Sequence, residues 1–118
     1  MKEFITLAYP DGTHLGKLST KEKQQHIDDV MAYLEDLDRQ GKIKSAEPLA
    51  DIGRQIIGKK GEITDGPFVE TKETVAGFFH ILAKDMEKAI SIAKANPMFN
   101  LEEGGRLEVR PMGIINKI

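Results

Sequence analysis

Ala76-Gly77-Phe78-Phe79-His80-Ile81-Leu82-Ala83 is the most apolar stretch of the chain. Its length and its β-prone residues predict a central strand, buried on both faces. Asp85 follows and can cap a helix whose stripe is Met86, Ala89, Ile90 and Ala93, with Pro97 as its stop. Beyond a loop over Leu101–Gly105, Arg106 to Arg110 alternates polar and apolar residues, as a half-buried strand does, and Pro111 ends it. The tail from Gly113 to Lys117 is read as a further short strand.

Working back from the central strand, Asp65 to Val75 reads mostly as loop. Gln55-Ile56-Ile57 and Glu62-Ile63-Thr64 flank Gly58-Lys59-Lys60-Gly61, which is a hairpin pattern. Ile43 to Leu49 reads as a short strand, with Pro48 marking an edge or a bulge. A helix is expected from Thr20 to Gln40. Ser19 and Glu22 form a capping box, and Ile27, Val30, Met31, Leu34 and Leu37 make its apolar stripe. Gly41 suits the left-handed position past its end. Glu3 to Tyr9 is a first strand, broken by Pro10-Asp11-Gly12. The order is β-α-β-(hairpin)-β-α-β. It predicts an α+β fold: a ferredoxin-like antiparallel sheet with two helices on one face.

The 118 residues fit a single domain, 1–118. Hydrophobic residues at 40% and charged residues at 31% describe a globular chain with one core. A net charge of -2 lacks the basic footprint of a nucleic-acid binder. No apolar run is long enough for a membrane helix, and the N-terminus lacks a signal-peptide core. With no cysteine, thiol nucleophiles, disulfides and thiolate metal sites are excluded. The expected location is cytoplasmic. No metal spacing or cofactor motif is present; Gly58-Lys59-Lys60-Gly61 lacks the phosphate-loop spacing.

The helix-free face of such a sheet is expected to carry Phe4, Thr6 and Ala8 from the first strand. Phe78, His80 and Leu82 join them from the central strand, and Glu108 and Arg110 from the last. That mixture is too apolar to be left in water and too polar for a plain core, so it calls for a dimer interface, a ligand cleft or both. His80 is either a hydrogen-bonded core residue or a proton carrier, with Asp65 or Glu108 as its carboxylate. Arg110 either pairs with Glu108 or clamps a carboxylate or phosphate. Lys72 is either part of a solvated charge run with Glu70 and Glu73 or an anion contact. Asp65-Gly66-Pro67-Phe68 is either turn chemistry or an acid facing a cleft.

The run Thr64-Asp65-Gly66-Pro67-Phe68-Val69-Glu70-Thr71-Lys72-Glu73, followed by Gly77-Phe78-Phe79 and Glu108-Val109-Arg110-Pro111, resembles the YCII-related family in its DGPF branch. The resemblance implies a homodimer in which two sheets meet as an α+β barrel. It also carries two functional expectations. One is a small-molecule cleft with acid/base chemistry through His80 and Asp65, and with Arg110, Lys72, Glu108 and Phe78 around the ligand. The other is a non-enzymatic regulatory module, linked for example to an extracytoplasmic-function sigma factor. The wider family's N-terminal histidine has no clear counterpart; His14 lies in a glycine-containing loop.

Overall fold

The computed structural model describes residues 1–10, 17–50, 52–67 and 75–113. Its elements are β1 (Lys2–Pro10), α1 (Thr20–Arg39), β2 (Ile43–Pro48), β3 (Arg54–Lys59), β4 (Glu62–Pro67), β5 (Gly77–Ala83), α2 (Met86–Lys94), a 3-10 turn (Pro97–Asn100) and β6 (Gly105–Pro111). Two sheets result. One has four strands in the order β2-β5-β1-β6, all neighbours antiparallel; the other is the β3-β4 hairpin. Setting the hairpin aside, the order is that of a ferredoxin-like sheet, as the sequence predicts.

Both helices start on local hydrogen bonds. Ser19 Oγ accepts from the Glu22 N–H, and Glu22 Oε1 accepts from the Ser19 N–H, each at 3.1 Å. The same contacts hold the Glu22 carboxyl below its ordinary range, the bond from the Ser19 backbone most of all. α1 closes where the N–H groups of Gly41 and Lys42 donate to the carbonyls of Asp38 and Leu37. This termination needs a left-handed residue, and Gly41 supplies it at φ 66°. Asp85 Oδ1 accepts from the Lys88 N–H at 2.9 Å and opens α2.

The two helices cover one sheet face. Leu37 of α1 and Ala89 and Ile92 of α2 pack on Phe4, Ile81 and Ala83, with Tyr33, Ile43, Phe79 and Val109 around them. Tyr33 meets Phe79 edge to face, and its hydroxyl donates to the Ile92 carbonyl at 2.7 Å. Burial pushes the Tyr33 phenol up to about 12.

Two expectations change. β4 runs on through Asp65-Gly66-Pro67, because these residues pair with Arg54, Gln55 and Ile56 of β3 instead of breaking into a loop. The central strand is not buried on both faces: Ile81 and Ala83 are buried, whereas Phe78, His80 and Leu82 are only half-buried. Helices cover only one side. The expected strand in the tail lies outside the described residues apart from Gly113, which sits in a bend. Among the described residues, no helix is long and apolar enough to cross a membrane.

Candidate functional site

Residues directly opposed across an antiparallel pair share a face. Ile5 lies between His80 on β5 and Arg110 on β6, and Leu7 lies between Phe78 and Glu108. Tyr9 faces Arg106, and Glu3 faces Leu82. The helix-free face therefore carries Glu3, Ile5, Leu7 and Tyr9 of β1. This corrects the expected parity of that strand. Phe4 and Thr6 are both buried on the opposite side, and Ala8 shares their face. The charged Glu3 does not enter the helix-side core, and its parity carries Ile5, Leu7 and Tyr9 with it. The parities of β5 and β6 are as expected.

His80 Nε2 lies 2.9 Å from Glu3 Oε1, and Lys44 Nζ reaches the same oxygen at 2.9 Å. The Lys44 bond foremost, and then the His80 bond, hold the Glu3 carboxyl below its ordinary range. An ionised carboxylate only accepts, so the Nε2 of a neutral His80 carries the proton and Nδ1 keeps its lone pair. Nδ1 has no partner among the described residues. This is a histidine oriented by a carboxylate, the arrangement in which the second ring nitrogen can act as a base.

A second polar cluster occupies the β6 side. Glu108 Oε1 accepts from the Tyr9 hydroxyl at 3.1 Å and from Arg110 Nη2 at 2.9 Å. Arg106 Nη2 is 3.6 Å from Glu108 Oε2, and its guanidinium lies 4.2 Å above the Tyr9 ring. The bond from Arg110 is the main reason that Glu108 sits below the ordinary carboxylate range; burial and the Glu108 contact push Tyr9 up. Arg110 is largely exposed and spends one of its five donors here. His80 and Arg110 flank Ile5 at two strand spacings, roughly 10 Å apart.

The structure pairs His80 with Glu3, in place of either expected carboxylate. Glu108 belongs to the β6 cluster. Asp65 lies in the other sheet, where Arg54 grips it with two bonds, Nε to Oδ1 at 2.9 Å and Nη2 to Oδ2 at 2.6 Å. Lys72, Glu70, Glu73, Phe68 and His14 lie outside the described residues. Glu3, Lys44 and Arg54 are the site and hairpin residues that sequence reasoning missed. An acid at the start of an otherwise apolar strand was the available signal for Glu3. Among the described residues, no three His, Asp or Glu side chains gather as a metal site would require.

The model of the YCII-related domain matches residues 2–113. The chain belongs to the YCII-related family. Among solved structures, this YCII-related chain is similar to 5-chloro-2-hydroxyhydroquinone dehydrochlorinase (TftG) from Burkholderia phenoliruptrix AC1100, in complex with 2,5-dihydroxybenzoquinone. The TM-score is 0.57 at 15% identity, over 98% of this chain and 97% of that one. The de novo designed protein Ferredog-Diesel aligns with a TM-score of 0.41 at 15% identity, over 93% of this chain and 84% of that one. No curated protein matches the sequence.

Proposed function

We propose that the chain acts as a homodimer whose helix-free sheet faces meet around a small-molecule site, and that His80 is the proton acceptor of that site. One observation carries the reading: His80 is oriented through Nε2 by an ionised Glu3 that Lys44 also holds, on a face whose Ile5, Leu7, Phe78 and Leu82 are half-buried. Glu3 takes the role first expected of Asp65. His80 Nδ1 accepts a proton from an acidic O–H or C–H of the ligand. The electron pair stays on the ligand as an oxyanion or enolate, and Arg110 faces that charge from the far side of Ile5. Phe78 and Leu7 supply the apolar floor, and Glu108 holds Arg110. The ligand class is a small aromatic or carboxylic acid carrying an ionisable hydroxyl. TftG handles a hydroxylated six-membered ring on the same fold, which is in keeping with that class. A chain without cysteine suits a reducing cytoplasm.

Methyl chemical-shift mapping with hydroxybenzoates and small carboxylates tests the site. Ile5 and Leu7 shift on binding, while Ile81 and Ile92 behind the sheet do not. Shifts confined to Ile81 and Ile92 would refute a site on the helix-free face.

A further inference from the structure

The β3-β4 hairpin is not accounted for by that site. Every residue from Arg54 to Asp65 is exposed, including Ile56 at 72% and Ile63 at 75%. Such a ribbon is marginal alone in water, and its apolar residues call for a surface to cover them. The pairing register sorts its two faces. Ile56, Gly58 and Ile63 share one, with Arg54 and Asp65 at its base. Gln55, Lys59, Glu62 and Thr64 share the other with Ile57.

The first face is built to be buried. A Cβ on Gly58 would stand 2.9 Å from Ile63 Cγ1 and 2.6 Å from the Glu62 carbonyl oxygen. Glycine therefore lets the Ile63 side chain lie flat across the neighbouring strand. The two-bond fork between Arg54 and Asp65 neutralises both charges before any partner arrives, so that end can lose water at a low cost.

Interface size decides what covers it. The helix-free sheet face has four strands of about seven residues, and alternation puts about 14 side chains on it. A stable interface takes roughly 20–30 residues a side, so the sheet face alone falls short. One hairpin face offers about six more by the same alternation. In a two-fold dimer each chain both gives an arm and receives one, so the arm counts twice, and the total rises to about 26 residues a side.

We infer that the β3-β4 hairpin is a dimerisation arm whose Ile56–Gly58–Ile63 face packs on a second copy of this chain. The inference rests on the sheet-face dimer proposed above and extends it. The test is sedimentation velocity over a concentration series on the wild type, an Ile56→Glu/Ile63→Glu variant and an Ile57→Glu control, with circular dichroism to verify the fold. Amide exchange is measured on the wild type above and below its dissociation constant. The expected result is a wild-type dimer whose β3 and β4 amides gain protection only when dimeric. The double variant dissociates at least tenfold more readily, and the control within about twofold of wild type. A wild-type dimer with an unprotected hairpin and an unchanged double variant overturns the arm while the sheet-face dimer stands. The unclaimed hairpin then falls to a different protein. A wild-type monomer at every concentration overturns both.

Discussion

The four-stranded sheet and the two-stranded hairpin share backbone chemistry and differ in what lies against them. Ile81 in β5 is wholly buried under two helices, whereas Ile63 in β4 is three-quarters exposed. Both are β-branched residues in antiparallel strands. The contrast teaches that strand pairing alone does not place an isoleucine; the covering layer does. It also separates two uses of a carboxylate–cation contact. Arg54 and Asp65 close a fork that spends both carboxylate oxygens on one guanidinium. Glu3 shares a single oxygen between Lys44 and a histidine whose second nitrogen has no partner among the described residues.

Substitution in the two regions should give the largest contrast. Ile81→Ala costs about 3 kcal/mol of folding stability, the range of a fully buried large-to-small change. Ile63→Ala in the dissociated chain costs under about 0.5 kcal/mol, as exposed substitutions do. Urea denaturation of both variants checks this, and equal losses would break the comparison.

Tyr33→Phe removes the hydroxyl bonded to the Ile92 carbonyl and costs about 1 kcal/mol at neutral pH. The phenol is raised from 10.0 to about 12 in the fold. Its contribution is full below the unfolded value of 10.0 and is lost as pH rises through about 12. Alkaline melts of the wild type should therefore show a loss of stability over that window that Tyr33→Phe lacks.

Ser19→Ala removes one half of the capping box of α1 and costs about 1 kcal/mol. Circular dichroism melts measure it, and an unchanged midpoint would mean that the sheet alone sets the stability of the chain.

The smallest effect is the sharpest for the site. Lys44→Met removes the main cause of the lowered Glu3 carboxyl. Glu3 then titrates at a higher pH, read by carboxyl NMR. Its favourable contacts in the wild type are present above the ordinary value of 4.5 and are lost as pH falls through the lower folded value. An unmoved titration would remove Lys44 from the cluster.

The sequence carries most of the fold because its signals are local. Ser19 with Glu22, Asp85 with Lys88, and Gly41 past the end of α1 each act within a few residues. The alternation of Arg106, Leu107, Glu108 and Val109 sets the parity of β6 without further help. β1 gave no such alternation, since Phe4, Ile5, Leu7 and Ala8 are all apolar; only Glu3 distinguishes its faces, against a buried Thr6. The site was less legible for the same reason. His80 stands out in an apolar strand, but its partners come from the far ends of β1 and β2, and a shift of register between Ile43 and Ser45 breaks the parity by which Lys44 would be placed. Asp65 drew attention through its turn-forming neighbours, whereas cross-strand pairing keeps it in the hairpin beside Arg54.

A thermal-shift series on the wild type and His80→Ala, against hydroxybenzoates and small carboxylates, decides whether His80 serves a ligand. A ligand that binds only the native state at a hundredfold excess over its Kd adds about 2.7 kcal/mol and raises the melting temperature. Such a rise is expected in the wild type and is lost in His80→Ala, with the unliganded melting temperature of the variant close to wild type. An equal rise in both proteins, or none for any compound in the series, would contradict that role of His80.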